Sequence, residues 1–217
     1  ALCSALNLPM VTIDRPLPGT DAVVADHVAG GRLLAQHLLE LGHSRVALLS
    51  GPANLSSSRG RRRGFLEGLA PLQPVWEAVT GFTHELPAEV QQLLGAGGYS
   101  AVVCANDMVA LGVVRHLTAL GRSVPEDVSV VGFDDVAWAS LMQPALTTVR
   151  QPLAALGAAA VRLLLERLEE PTRTTRGVVM PVELVVRAST ARPAAFVPRQ
   201  QTKAAGGAAG RYREERY

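Results

Sequence analysis

Several polar or aromatic residues stand at the ends of short apolar runs, and their side chains are suited to binding a small molecule. Carboxylate and amide groups hydrogen-bond to hydroxyls, and an aromatic ring offers an apolar face to a sugar ring or a base. Taken singly, each of these residues is more simply explained as a helix cap or a turn residue. Their shared position at the ends of predicted strands favours a common site. The positions are Asp14, Ser50, Phe82, Asn106, Asp107, Asp134 and Asp135.

Four arginines within residues 59–63 form a dense basic cluster. Helical geometry points neighbouring side chains in different directions, so at most one or two of them can face the same site. The planar guanidinium fork suits paired hydroxyls or a carboxylate, which favours one inward-facing arginine as a ligand clamp. A solvated helix start explains the others, and this interpretation fits Arg62 and Arg63.

No motif for catalysis or metal binding accompanies these residues. The sequence contains no G-x-S-x-G, H-E-x-x-H or C-x-x-C pattern and no Walker A loop. The five histidines are scattered without the spacing of metal ligands, and we expect them at the surface or in caps. An enzyme that uses Asp134 or Asp135 with His84 is a rival hypothesis, but no nucleophile–base pair supports it. We therefore predict a binding protein without metal or cofactor.

The elements that must position these residues alternate between short apolar strands and longer helical patterns. This alternation predicts an α/β fold with parallel sheets, in which ligands bind outside the carboxyl ends of the strands. The predicted strands are 9–13, 22–25, 45–50, 78–82, 101–105, 128–132, 146–150 and 178–186. The predicted helices are 28–41, 60–69, 88–95, 108–120, 135–141 and 152–170.

Composition and charge limit the class of protein. The 217 residues are 48% hydrophobic and 18% charged, which indicates a globular chain, and no apolar run is long enough to span a membrane. The net charge is +2, but the last twenty residues carry five positive and two negative side chains. The rest of the chain is therefore slightly acidic, which does not favour direct nucleic-acid binding by the folded part. Cys3 and Cys104 are interpreted as free thiols of a reducing cytoplasm.

Six segments in order along the chain resemble the motifs of LacI/GalR transcriptional regulators. The segments are PMVTIDRP (9–16), DHVAGG (26–31), LLELGHSRVA (38–47), ANDMVALG (105–112), VPEDVSVVGFDD (124–135) and PALTTVRQP (144–152). The resemblance implies a periplasmic-binding-protein-like fold of two Rossmann-like lobes with parallel sheets, the first lobe incomplete. By this likeness, residues 1–25 and 150–176 form the first lobe, and residues 26–149 and 177–192 form the second. Residues 193–217 are rich in Ala, Gly, Gln and Arg without periodicity, which predicts a disordered tail.

The same resemblance implies a function and a set of contacts. A small effector, most simply a sugar, is expected between the lobes of a cytoplasmic homodimer that binds operator DNA through a headpiece absent from this chain. Dimerisation is expected near residues 108–120 and the first lobe. An alternative is the periplasmic sugar-binding component of a transporter. The effector contacts carried over by position are Asp14, Arg61, Phe82, Asn106 and Asp134.

Overall fold

Short strands alternate with longer helices through residues 8–194, the part of the chain that this computed structural model describes. The strands are β1 (Val11–Ile13), β2 (Asp21–Ala25), β3 (Val46–Ser50), β4 (Trp76–Val79), β5 (Ala101–Cys104), β6 (Ser129–Val131), β7 (Thr148–Arg150), β8 (Gly177–Met180) and β9 (Glu183–Val185). The helices are α1 (His27–Glu40), α2 (Ser56–Leu69), α3 (Ala88–Ala96), α4 (Asp107–Ala119) and α5 (Leu153–Glu169), with a 3₁₀ turn at Ala137–Ser140.

Four parallel strands in the order β4-β3-β5-β6 form the larger sheet. Leu48 pairs with Val103, and Val103 pairs with Val131. As in any β-strand, successive residues point to opposite faces of the sheet. One face packs against α1 and α2, and the other packs against α3 and α4. Helices on both faces explain why β3 and β5 are apolar along nearly their whole length. The predicted α/β architecture with parallel sheets is confirmed.

The smaller sheet has the parallel order β1-β2-β8 and is covered by α5. Val23 and Ala25 of β2 pack against Leu156, Ala160 and Leu163 of α5 in a separate small core. The opposite side of α5 is also apolar but stays exposed: its side chains include Val161, Leu165 and Leu168.

The chain passes between the two sheets at three places, after β2, between β7 and α5, and between β8 and β9. Strands β7 and β9 pair antiparallel, so two of these connections run side by side. The backbone N–H of Asp26 donates to the carbonyl of Met180 (2.8 Å), which ties the first connection to the third. The strand ends next to these connections are where the sequence places the candidate ligand contacts.

The backbones of α1 and α2 approach closely because each helix has a glycine at the point where it contacts the other. A Cβ on Gly64 would collide with the carbonyl of Val28, and a Cβ on Gly31 would collide with the carbonyl of Arg61. The close approach fixes the position of α2, which carries the arginine cluster, against the start of α1.

Several predicted boundaries are wrong, for local reasons. The predicted strand 178–186 is interrupted at Pro181, which has no N–H for a ladder, and becomes β8 and β9. Strand β4 ends at Val79 and not at residue 82, because its partner β3 ends at Ser50. The predicted helix 135–141 is only a 3₁₀ turn, and α2 begins at Ser56, four residues before the predicted start.

One predicted lobe assignment also needs correction. Residues 177–180 were placed in the second lobe, but β8 pairs with β2 in the smaller sheet, with Val23 opposite Val178. The remaining lobe boundaries stay predictions. The predicted tail lies outside the described residues apart from its first two residues. Within residues 8–194, no helix is both long enough and apolar enough to cross a membrane.

Candidate functional site

Arg61 is the centre of a polar network at the carboxyl ends of the strands. Its Nη2 donates to Asp134 Oδ1 (2.9 Å), its Nη1 donates to the carbonyl of Ala105 (2.8 Å), and its Nε donates to His27 Nδ1 (3.3 Å). The guanidinium carbon lies 3.9 Å from the centre of the Phe133 ring. Only 12% of the side chain is exposed, so Arg61 is the inward-facing member of the cluster that the sequence predicts.

Asp134 reaches Arg61 from the loop after β6. Its backbone has φ 120°, a conformation rare for a residue with a side chain, and its N–H donates to the carbonyl of Val149. Gln151 Nε2 donates to the same carboxylate oxygen as Arg61, at 2.8 Å. The surrounding bonds hold the loop in its left-handed conformation and aim the carboxylate at the arginine.

Asp135, also left-handed with φ 54°, anchors the loop from its other side. Its carboxylate accepts from Arg150 Nε and from Arg187 Nη2, both at 2.6 Å. Burial alone raises the pKa of Asp135, but these two arginines lower it below the ordinary value. The two neighbouring aspartates therefore have different tasks: Asp135 fixes the loop, and Asp134 faces the network.

Asp107 lies fully buried beneath the loop. Its carboxylate accepts from Thr148 Oγ1 (2.5 Å) and from the backbone N–H of Val136 (2.9 Å). Burial raises the pKa of Asp107 to about 6, and the nearby carboxylates act in the same direction. Asp107 thus supports the loop from below and is not accessible to a ligand.

Asp14 joins the network from the end of β1 in the smaller sheet. Its Oδ1 lies 2.6 Å from His27 Nε2, and its backbone is left-handed with φ 62°. Burial by itself raises the pKa of Asp14, but the hydrogen bond from His27 and the charge of Arg61 lower it below the ordinary value. A continuous chain of polar contacts therefore runs from Asp14 through His27 and Arg61 to Asp134.

Phe82 and Asn106 lie outside this chain of contacts. The Phe82 ring packs over Gly51, where a Cβ would come within 2.6 Å of Cε1, and 37% of Phe82 is exposed. Asn106 Oδ1 accepts from the backbone N–H of Val109 (3.0 Å) and caps α4, which is the ordinary explanation that the sequence offers for it. The structure thus joins Arg61 and Asp134 directly, connects Asp14 to them through His27, and places Phe82 and Asn106 outside the network.

A small, partly open pocket with a cavity volume of about 20 Å³ adjoins Arg61. Its lining includes apolar residues of β3, β5, α1 and α2, together with Ser50, Gly51, Ser58 and Cys104. Ser58 Oγ is buried and has no hydrogen-bond partner among residues 8–194, and burial raises the pKa of the Cys104 thiol. The pocket offers an apolar surface beside a charged network, as small-molecule sites commonly do.

Burial and pairing have opposite effects on the pKa values of Arg61 and Asp134, the ion pair at the centre of the network. Burial lowers the pKa of Arg61 and raises that of Asp134, and in each case the partner's charge opposes the shift. Arginine remains protonated at any pH at which the protein folds. Arg61 therefore presents a permanent, partly desolvated positive charge, whose fixed geometry suits ligand oxygens.

Two members of the network, His27 and Gln151, were not predicted. We expected the histidines at the surface or in caps, which is wrong for His27 and His43, since both are buried. His27 comes two residues after the end of β2, and Gln151 lies just after β7. The signal was therefore present in their positions. No three His, Cys, Asp or Glu side chains of residues 8–194 are grouped as metal ligands.

Comparisons with known proteins identify the family to which this fold belongs. Residues 35–190 match the family described as the periplasmic binding protein-like domain. The HTH-type transcriptional regulator MalR of Streptomyces coelicolor is 40% identical over 199 residues, which cover 86% of this chain and 57% of that protein. A LacI family regulator from Enterococcus faecium, solved with bound ribose, has a TM-score of 0.79 and 31% identity, covering 88% of this chain and 73% of that one.

A dimeric Lac repressor with an 11-residue C-terminal deletion is similar as well, with a TM-score of 0.80 and 33% identity, covering 89% of this chain and 72% of that one. The fold and the matched family define a periplasmic-binding-protein-like domain. Within that class, the chain belongs to the LacI family of transcriptional regulators. It spans a little over half the length of the curated relatives it matches, as the 57% of MalR illustrates.

Proposed function

We propose that this chain is the effector-binding core of a LacI-type transcriptional regulator and that its effector is a sugar or a sugar derivative. The observation that carries the proposal is the Arg61 network beside an apolar pocket at the ends of the strands. A guanidinium and carboxylates are the groups that bind paired hydroxyls, and Phe82 supplies an aromatic face nearby. Asp14, Arg61, Phe82, Asn106 and Asp134 remain the proposed effector contacts.

The comparisons favour regulation over the two rival functions. The relatives reported above are transcriptional regulators, which argues against a transport component and against an enzyme. One of them holds ribose, which supports a sugar as the ligand class. Operator DNA would be bound through a headpiece outside these 217 residues, in a cytoplasmic dimer.

Calorimetric titration of the chain with monosaccharides, disaccharides and nucleosides tests the proposed ligand class. We expect at least one sugar to bind, and Arg61→Ala to weaken that binding about 10- to 100-fold, because it removes a charged donor from a partly buried site. Circular dichroism shows whether each variant is folded, and Arg61→Lys keeps the charge while it removes the planar fork.

Arg63→Ala is the matched control, because Arg63 lies two residues along the same helix but is 67% exposed. Its affinity should stay within about twofold of the wild type, since exposed charges contribute little. Binding of nucleosides alone, or equal losses in the two arginine variants, would contradict the proposed site.

We also propose that the chain forms a homodimer through the first lobe and through α4 with the loop that follows the 3₁₀ turn. A groove beside α4 is lined by Leu111, Val114 and Met142 together with polar side chains such as Arg115 and Gln143. Leu141, the neighbour of Met142, is 79% exposed, and Leu120 at the end of α4 is 41% exposed. The dimeric state of the similar Lac repressor supports a second copy as the occupant.

Analytical ultracentrifugation of Leu141→Glu tests the dimer. A charge at the centre of an apolar interface should raise the dimer dissociation constant about 30-fold or more. Leu165→Glu tests the contribution of the first lobe separately, because Leu165 is also exposed but lies on α5. A dimer that survives Leu141→Glu and dissociates with Leu165→Glu would place the interface on α5 instead.

A further inference from the structure

His27 joins elements of the two sheets through the proposed site. It is the first residue of α1, two residues after the end of β2 in the smaller sheet, and only 7% of it is exposed. Its Nε2 contacts Asp14 at the end of β1, and its Nδ1 contacts Arg61 on α2. One ring nitrogen therefore contacts a residue of the smaller sheet, and the other contacts a helix that packs on the larger sheet.

The two partners fix the protonation state of the imidazole. The Nε–H of arginine can only donate, so His27 Nδ1 at 3.3 Å must accept and cannot carry a proton. The ionised carboxylate of Asp14 can only accept, so Nε2 at 2.6 Å must donate. The arrangement is satisfied only by the neutral imidazole with its proton on Nε2.

Neighbouring residues restrict the movement of the His27 ring. The Phe133 ring lies 5.8 Å from it, and a Cβ on Gly60 of α2 would lie 2.8 Å from the His27 Cβ. The charged groups that face it are Asp14 from β1 and Arg61 from α2, with Asp134 beyond Arg61. The carboxylate of the preceding Asp26 is engaged elsewhere, because it caps α1 at Ala29.

We propose that His27 is a positioning residue for Arg61: its neutral imidazole holds the guanidinium in place, and protonation of Nδ1 releases it. A proton on Nδ1 would face the Nε–H of Arg61, so two donors and two positive charges would meet at one contact. The Asp14 contact would survive, because a charged imidazole still donates from Nε2. The predicted effect of His27 on ligand affinity rests on the proposed function, whereas the positioning of Arg61 by His27 does not.

The consequence is a link between pH and the geometry of the binding site. Protonation of His27 Nδ1 would remove one of the three hydrogen bonds that orient Arg61, while the bonds to Ala105 and Asp134 remain. A ligand that depends on the oriented guanidinium then binds more weakly at acidic pH. Loss of one such orienting hydrogen bond is expected to reduce affinity roughly tenfold.

Nitrogen NMR of the unliganded chain tests the positioning directly. Long-range proton–nitrogen spectra assign the tautomer of His27, and the Arg61 Nε–H signal is followed between pH 8 and pH 5. We expect the Nε2–H tautomer at pH 8 and a change in the Arg61 signal that tracks the titration of His27. An Nδ1–H tautomer, or an Arg61 signal that stays constant while His27 titrates, overturns the proposal, and so does a His27 that stays neutral to pH 5.

Replacing His27 with asparagine or with glutamine separates the contact with Arg61 from the contact with Asp14. Asparagine places an amide oxygen near the position of Nδ1, so His27→Asn should keep Arg61 oriented at every pH. Glutamine places an amide nitrogen near the position of Nε2, so His27→Gln should keep the Asp14 contact but release Arg61. If both variants leave the Arg61 signal as in the wild type, His27 does not position the arginine.

Ribose binding by the same three proteins tests the effect on affinity. Calorimetry should show about a tenfold weaker wild-type affinity at pH 5 than at pH 8, a clearly smaller pH dependence in His27→Asn, and weak binding at both pH values in His27→Gln. Asp107, whose pKa burial raises to about 6, contributes to the pH dependence of all three proteins, so the difference between them is the measured quantity. An equal pH dependence in wild type and His27→Asn overturns the proposal. Complete absence of ribose binding counts against ribose as the ligand, while the NMR result still decides the role of His27.

Discussion

Replacing Asp21 with asparagine is expected to lower the free energy of unfolding by about 3–5 kcal/mol, the usual effect of breaking a buried ion pair on one side. The Asp21 side chain is fully buried at the start of β2 and accepts from Arg167, Arg173 and the backbone N–H of Arg176. Asparagine keeps the shape but leaves two largely buried arginines without a counter-charge. Urea unfolding at pH 7 measures the loss.

The same site predicts a pH dependence. Burial raises the pKa of Asp21, but the hydrogen bonds from the arginines and the Arg176 N–H outweigh it and lower the pKa from 3.8 to about 2. The native state therefore holds fewer protons than the unfolded chain between these values, so the stabilisation is complete above pH 3.8 and is lost as the pH falls through 2. The stability difference between wild type and Asp21→Asn should narrow over that range.

Glu67→Gln is the matched control, because Glu67 also contacts two arginines but is 43% exposed. Its effect should stay below about 1 kcal/mol, as for other exposed ion pairs. Comparable losses in the two variants would mean that burial of Asp21 is not the source of its contribution.

Replacing Gly64 with alanine is expected to destabilise the protein by about 3 kcal/mol or more, at or above the upper end for overpacking. The new methyl group would meet the backbone of Val28 on α1, which cannot move aside as a side chain can. The helices must separate, and α2 carries Arg61 with it. We therefore expect both a lower melting temperature in calorimetry and a loss of ligand affinity.

Gly157→Ala is the opposite case and serves as the control. Gly157 lies inside α5, and nothing approaches within 4 Å of a Cβ built there. Alanine should stabilise the protein by roughly 0.5–1 kcal/mol, because it restricts the unfolded chain and favours the helix. A destabilising Gly157→Ala, or a neutral Gly64→Ala, would contradict the close packing that the structure assigns to α1 and α2.

The sequence predicted the parts of the site that depend on local order. Asp14 and Asp134 each follow a predicted strand, so the pattern places each of them at a carboxyl end where ligands bind. The two strands belong to different sheets, and the expectation that these sheets face each other came from the family resemblance. The helix phase of residues 59–63 allowed at most one or two inward arginines, and the family resemblance selected Arg61. The resulting contact between Arg61 and Asp134 is 2.9 Å. Whether these groups bind an effector remains a proposal.

Features that depend on distant residues escaped prediction. Strand β8 pairs with β2 across more than 150 positions of sequence, and its apolar pattern would suit either sheet equally well. His27 is polar and begins a helix, which by itself predicts exposure; its burial results from Asp14 and Phe133, which different strands bring to it. The left-handed backbone of Asp134 is likewise stabilised by Val149 and Gln151, which no local rule connects to it.

The position of Cys104 provides the molecule with an internal chemical reporter. Its side chain belongs to the core between the larger sheet and helices α3 and α4, and burial keeps it in the unreactive thiol form. A thiol reagent can therefore modify it only during moments when this core opens. The labelling half-time then measures the frequency of these openings, and any ligand that stabilises the closed form lengthens it without the need to attach a dye.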